Sequence, residues 1–313
     1  MAQITPKAGI DSSADWLDVY LYPLEIGFRV SNDAPGWREL HRRLGAERVE
    51  IVALEASGGC ERAACHFLLE RGYSVRLLDA LRVRQFAKAT GRLAKNDRID
   101  AEIIAHFVTV VATRPMVRDR QRERLAELVG ARAQLADQLV LLQNQARGHG
   151  EALLRRLDRQ RVARAQADMQ TIERRIAEVI AADPDMTADN ALLRSMKAVG
   201  PVLAFTLQAF LPELGHLTRK QIAALAGVAP FEDQSGKRQG VRYIQGGRAS
   251  VRGPLYMAAL VAARYNPVLK QTRDRLRALN KKPKVVIVAL MRRMLTILNA
   301  ILRDGTQWQN RAV

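Results

Sequence analysis

Cysteine is close to absent: Cys60 and Cys65 are the whole complement of a 313-residue chain. Two thiols cannot build the framework of a disulfide-stapled fold, and a five-residue spacing does not suit a zinc site. Both are expected to be ordinary helix residues. Aromatic side chains make up 5% of the chain, so ring stacking is not the main way it would hold nucleobases. No uncharged apolar run approaches the roughly 18 residues of a membrane span, and no signal peptide opens the chain. A cytoplasmic protein without a membrane partner is expected. Acid is in deficit as well. Lys and Arg number 50 against 32 Asp and Glu, a formal net charge of +18, with a pI near 10.7. That imbalance is the electrostatic footprint of a polyanion binder, nucleic acid above all.

Three regions differ in pattern. Residues 1–115 read as α/β. A first strand ends at Ile10-Asp11, Trp16–Tyr22 and Ile26–Val30 alternate like a second and a third, and Ser31-Asn32-Asp33 caps a helix running to about Leu44. A strand over 49–55 follows, then a helix ending at Gly72, a strand at Val75–Leu78, and helices at about 80–90 and 97–112. Three early strands in meander order, then alternating helix and strand, is the order of an RNase H-like domain. Residues 116–188 form a helical coiled-coil arm, with Leu125, Leu128, Leu135, Leu139 and Leu142 at helical spacings. It is one long helix, or two broken near Gly148-His149-Gly150; packed spacer and dimerising arm are both open, and a coiled coil can do both. Residues 189–313 are mostly helical, with irregular loops between 229 and 249. Lys197–Pro201 sits between two helical patterns, either as the hairpin of a helix-hairpin-helix or as a plain turn.

Against the basic background, four acids stand out. Asp11 and Glu55 each close an apolar strand, and Asp97 and Asp100 stand three apart at the start of an apolar-periodic helix. One turn apart on one face, the last two are separated by roughly 4.5 Å along the axis. Carboxylates so close repel unless a cation lies between them, and acid at buried strand ends is costly unless neutralised. Hard oxygen ligands suit Mg²⁺ or Mn²⁺, which would polarise a phosphodiester. Taken singly, each acid could equally be a cap or a surface ion-pair member.

The C-terminal half carries the cations. From Gly236 to Arg303 there are 16 Lys or Arg and one acid, Asp274. Ser235 precedes Gly236, Lys237 and Arg238 in a loop where a hydroxyl could be presented to a phosphate; Ser57 and Ser250 are chemical competitors, and none has a histidine base nearby. Arg242, Arg248 and Arg252 surround the Gly246-Gly247 loop before a helix, and Lys281, Lys282 and Lys284 precede another. All are candidate phosphate contacts.

Ala-Gly-Ile-Asp at 8–11, Leu-Glu-Ala-Ser-Gly-Gly at 54–59 and Leu-Ala-Lys-Asn-Asp-Arg-Ile-Asp-Ala at 93–101 resemble the DEDD transposases of bacterial insertion sequences. The match continues in order through Ala223–Pro230, Gln234-Ser235-Gly236, Gly246-Gly247-Arg248, Leu255–Leu260, Arg264–Pro267 and Leu298–Ala300. The resemblance implies a RuvC-like N-terminal domain whose acids, here Asp11, Glu55, Asp97 and Asp100, bind Mg²⁺. It also implies a C-terminal transposase domain in which Ser235 attacks a DNA phosphate and holds it as a covalent phosphoserine during strand exchange. A noncoding bridge RNA would pair with donor and target DNA, and a dimer or tetramer would combine acids and serine from different subunits. Many relatives carry Thr where this chain has Asn96, and Gly where it has Ala198. The expected function is therefore a Mg²⁺-dependent recombinase that moves its own element. A Holliday-junction-type endonuclease needing the acids but not Ser235, and a non-catalytic nucleic-acid scaffold, are the alternatives.

Overall fold

The computed structural model describes residues 5–56, 58–92, 97–231, 234–235, 238–239 and 242–309, the backbone alone at 97–98, 234–235 and 238–239. They group into two compact units, 1–118 and 119–313.

The first unit is a sheet covered by helices on both faces. Its elements are β1 (Lys7–Ser12), β2 (Trp16–Tyr22), β3 (Ile26–Ser31), α1 (Ala34–Ala46), β4 (Ile51–Glu55), α2 (Arg62–Glu70), β5 (Ser74–Leu78), α3 (Ala80–Ala89) and α4 (Asp97–Val110). The strand order is β3-β2-β1-β4-β5. β1, β2 and β3 pair antiparallel, while β4 and β5 run parallel to β1. The meander and the later βα units are those expected from the alternation. Asp33 caps α1 by accepting the Gly36 N–H at 2.8 Å, and Asp79 caps α3 by accepting from Arg82.

Side-chain alternation divides β1 and β4 between two cores. Ala8, Ile10, Val52 and Leu54 join Leu40, Leu44, Ala64 and Leu68 on the side of α1 and α2. Ala53 faces the other way and packs with Val83, Ala87, Ile104 and Phe107 of α3 and α4. On that second face Gly9 lies directly against α4: a Cβ there would collide with the Ala101 carbonyl oxygen and the Ala105 backbone. At the other end of the contact Lys7 Nζ donates to the Val108 carbonyl at 3.3 Å. Cys65 is buried in α2, whereas Cys60 lies in the turn before it rather than in a helix.

The second unit is helical. α5 (Arg120–Gly148) and α6 (Ala152–Ala181) are two helices joined at the glycine pair. They run antiparallel, since Arg132 pairs with Glu173 at 2.7 Å and His149 with Asp158 at 2.7 Å. The coiled-coil seam thus closes within one chain. At its base Leu125, Val129, Ile176 and Val179 pack with Met186, Phe205 and Ala209. There follow α7 (Pro184–Ser195), α8 (Pro201–Phe210), α9 (Arg219–Leu225), four two-residue strands, β6 (Pro230–Phe231), β7 (Gln234–Ser235), β8 (Arg238–Gln239) and β9 (Tyr243–Ile244), then α10 (Ala249–Tyr265), α11 (Pro267–Ala278) and α12 (Pro283–Asp304). The stretch expected as irregular loop instead holds two nested antiparallel ladders, β6 with β9 and β7 with β8. Two-residue strands leave too little alternation for a sequence pattern to register. Among the described residues one helix, α12, is long and apolar enough to cross a membrane. It carries Arg292 and Arg293 at mid-length and buries Leu290, Met294, Leu295 and Leu298 in the core of this unit.

Gly9→Ala is expected to lower the stability of the whole chain by about 1–3 kcal/mol through forced separation of β1 and α4. Urea denaturation measures it, with Gly45→Ala in α1 as control, where a Cβ meets nothing and the midpoint should hold or rise slightly.

Candidate functional site

The sheet register gathers acid at one end of the first unit. Arg29 lies opposite Asp18, and Asp18 opposite Asp11. On the other side of β1, Ile10 is level with Leu54, so the next position brings Asp11 level with Glu55 at the carboxyl ends of two adjacent parallel strands. Neighbouring strands are about 4.8 Å apart. Asp11 and Glu55 share the sheet face of Gly9 and Ala53, the face that α4 covers. Strand and helix run in opposite directions there, because Lys7 meets Val108 while Gly9 meets Ala101 and Ala105. Two strand residues beyond Gly9 span about 6.6 Å, or roughly four helix residues. Asp11 therefore points toward the first turn of α4, where Asp97 and Asp100 stand.

Asp11, Glu55 and Asp100 are each half-buried, and each is engaged by neighbouring groups in the fold. The Asp97 side chain lies outside the described residues, as do Ser57, Asn96 and Lys237 altogether. Among the described residues no three Asp, Glu, His or Cys side chains stand close enough together to share one ion. The fold thus brings Asp11, Glu55 and the start of α4 to one end of the sheet, without drawing three carboxylates of the described residues onto a single point.

Two residues not singled out in the sequence belong to this end. Asp18 is the cross-strand neighbour of Asp11, and like charges directly opposite repel. Arg29 offsets this with a two-point hold on the Asp18 carboxylate, at 2.9 and 2.7 Å. Asp18 is thereby committed to a cation already. Asn32 ties the loops that leave β1 and β4: its amide donates to the Ser13 carbonyl at 2.7 Å and the Cys60 carbonyl at 3.0 Å, and it accepts from Trp37 Nε1 at 2.9 Å. The hairpin register would have revealed Asp18; nothing local in the sequence marks Asn32. Cys65 is no part of any such chemistry, since burial, then the Glu61 charge, pushes its thiol up to about 12.

In the second unit the segment bearing Ser235 leaves and rejoins the helices through a narrow neck at Gly227 and Gly247. Ser235 is level with Arg238 across the β7–β8 ladder. At the base of the loop Gly227 (φ 70°) and Gly247 (φ 69°) meet backbone to backbone, with no room for a Cβ on either. Arg248, expected at a phosphate, instead builds this neck. Its guanidinium holds both Glu213 carboxylate oxygens, at 2.5 and 2.7 Å, and the Phe210 carbonyl at 2.9 Å. Its own N–H donates to the Leu225 carbonyl at 2.9 Å. Arg252 likewise turns inward and donates to the Gly246 carbonyl. A carboxylate that a guanidinium can meet in a fork holds it strongly. Arg242, Lys281, Lys282 and Lys284 remain on the surface. Between α7 and α8, Ala198 adopts φ 86°, a left-handed conformation that glycine takes without strain. This is the position where the resemblance expects glycine, and it marks the turn as a tight one.

Comparison with known proteins places the chain in a family. One family model, described as Transposase and of the DEDD type, matches residues 8–171, and a second, described as Transposase IS116/IS110/IS902 family, matches residues 190–273. The chain is 24% identical over 297 residues, 90% of each protein, to a pilin gene-inverting protein of Moraxella bovis. It is 24% identical over 300 residues, again 90% of each, to its namesake in Moraxella lacunata. A 43.6 kDa protein of the insertion element IS110 in Streptomyces coelicolor shares 29% identity over 122 residues, 38% of this chain and 30% of that one. An acid-ended mixed sheet joined to a basic helical unit is in this setting a DNA-processing enzyme, a transposase or recombinase. Within that class the chain belongs to the IS110 family of transposases.

Burial raises the Glu213 carboxyl, but the Arg248 hydrogen bonds outweigh it and the net shift is downward. A carboxylate lowered on folding stabilises the fold above its unfolded value and loses that contribution as pH falls through the folded one. Arg248→Gln is expected to cost about 1–3 kcal/mol at pH 7. The gap from the parent chain should narrow below about pH 4, as read by urea denaturation at several pH values.

Proposed function

We propose that the chain cuts and rejoins DNA strands through a covalent phosphoserine, with Asp11, Glu55, Asp97 and Asp100 as metal ligands and Ser235 as nucleophile. On this reading the first unit is a RuvC-like, RNase H-like catalytic domain over residues 1–115. Residues 116–188 are the arm, and 189–313 the transposase domain with the serine. The observation that carries it is the meeting of Asp11, Glu55 and the first turn of α4 at one end of the sheet. The donor set consists of carboxylate oxygens alone, which suits Mg²⁺ or Mn²⁺ better than a softer ion. Carboxylates converging without a cation repel, so ion binding would draw the start of α4 toward the strand ends. A bound divalent ion would neutralise phosphate charge and stabilise the departing oxygen.

The chain's own residues supply the rest. Ser235 Oγ forms a bond to phosphorus as the bond to the leaving sugar oxygen breaks, and the hydroxyl proton passes to that oxygen. Attack by the hydroxyl of the exchanging strand reverses the sequence, restoring the diester and freeing Ser235. Arg242 and the lysines at 281, 282 and 284 hold flanking phosphates, with Lys237 and Arg238 beside the serine; Arg248 and Arg252 keep the neck rigid. Guidance by a bridge RNA pairing with donor and target DNA, and assembly as a dimer or tetramer, complete the proposal.

With guide RNA, Mg²⁺ and cognate DNA, a denaturation-resistant protein–DNA adduct is expected from the parent chain and absent from Ser235→Ala on a denaturing gel. Cleavage that persists in Ser235→Ala with no adduct at any stage would overturn the serine assignment in favour of a resolvase-type endonuclease. Asp11→Ala and Asp100→Ala are each expected to lower strand transfer by at least about a hundredfold while nucleic-acid binding stays within about twofold, because binding rests on cations elsewhere.

A further inference from the structure

We infer that the distal half of the α5–α6 hairpin is a separate DNA-binding surface that grips the phosphate backbone of duplex flanking the reaction site. The charge along this hairpin is distributed unevenly. Residues 138–167 hold six arginines and two acids, whereas the base, residues 119–137 and 168–181, holds six arginines and seven acids. Both acids of the distal half are occupied. Glu151 caps α6 by accepting the Leu154 N–H at 3.1 Å, and Asp158, with its side chain 5% exposed, is held by His149 at 2.7 Å. The six arginines are all exposed. Among the described residues no carboxylate lies within ion-pairing distance of Arg155, Arg156 or Arg159, while Arg161 pairs with Asp158 at 3.8 Å and Arg164 with Asp168.

Three of these arginines converge. Arg147 from α5 and Arg155 and Arg159 from α6 line a groove of about 610 Å³ together with Gln143, Val162, Gln166 and the one acid Asp158, which His149 holds. Arg155 and Arg159 stand one turn apart, roughly 6 Å along the axis, a spacing comparable to successive phosphates on one strand. The hairpin has no lysine at all; every cation is the planar, forked donor that meets phosphate at two points. A helix needs no such run of unpaired guanidinium groups for its own stability, and like charges so close disfavour it unless a polyanion meets them. The competing occupant is a second copy of the chain, docked on Val140, Leu141, Leu153 and Leu154, which are 40–61% exposed at the tip. A symmetric contact there would bring two like-charged arginine clusters together, so the groove itself favours DNA. The inference rests on the DNA substrate of the family and not on Ser235 or the metal ligands.

The test is the full-length triple variant Arg147→Gln/Arg155→Gln/Arg159→Gln, beside the same three positions changed to Lys. Duplex DNA binding is followed by fluorescence anisotropy across a salt series, with helicity checked by circular dichroism and mass by sedimentation. The glutamine variant should keep its helicity and its mass. It should bind duplex about tenfold or more weakly at physiological salt, with the log–log salt slope reduced by about 2–3, since each phosphate contact contributes roughly 0.9. The lysine variant should retain most of the slope. An unchanged slope and affinity in the glutamine variant would overturn the proposal. So would a loss confined to RNA, or a change in oligomeric mass that accounts for the weaker binding. Adduct formation by Ser235 is a separate readout, so failure here leaves the phosphoserine proposal standing, and failure of the adduct leaves this one standing.

Discussion

The close passage of α4 over β1 at Gly9 governs the geometry of the first unit. A side chain at that point would lift the helix away from the sheet, because the groups it would meet are backbone atoms of Ala101 and Ala105 that cannot rotate aside. With the helix pressed down, its direction is set by Lys7 at Val108, and its first turn comes to the end of the sheet where β1 and β4 finish. Asp11 and Glu55 lie on the covered face because strand side chains alternate strictly. A slip of one residue in the β1–β4 register would send one of them to the opposite core. The candidate site is therefore a consequence of one glycine and one parallel register, and not of any local sequence feature around the acids.

Charge is segregated to match. The chain is strongly basic, yet the end of its sheet is acidic, and Asp18, opposite Asp11 in the hairpin, is held by Arg29 within the fold. Asp11, Glu55 and Asp100 remain at the same end of the sheet, each engaged within the fold, while Asn32 keeps the loops beyond β1 and β4 in place. The second unit carries the opposite sign on its surface. On the proposed reading, a polyanionic substrate and a divalent cation would each find their complement in different units of the same chain.

The loop bearing Ser235 shows how a fold rations its cations. Gly227 and Gly247 permit a backbone contact that closes the loop at its base, and Arg248 and Arg252 are drawn into that closure by carbonyl and carboxylate acceptors. Arginines counted from the sequence as DNA contacts are thus divided between those that build the presentation and those that remain exposed. The same distinction separates the two halves of the α5–α6 hairpin, where acids balance the base and leave the distal half uncompensated.

Periodicity, capping residues and charge made much of this legible beforehand. Strand alternation at Trp16–Tyr22, the cap before α1 and the acids closing β1 and β4 all follow from local rules that a short window contains, whereas the break at Gly148-His149-Gly150 stayed open until the structure showed two helices. The α/β region, the helical arm and the helical remainder were likewise visible, because each rests on a period of two or of about 3.6 residues. What stayed hidden depends on partners far apart in the chain. Asp18 lies beside Asp11 only once the hairpin pairs; Arg248 finds Glu213 35 residues away; and the two short ladders around Ser235 have too few residues to leave a pattern. Sequence alone determined which elements form and what sign of charge they carry, since both are properties of neighbouring residues. Which cations face solvent, and whether the acids share one end of a sheet, was decided by tertiary packing, because only a folded chain sets the register and the distances on which those interactions depend.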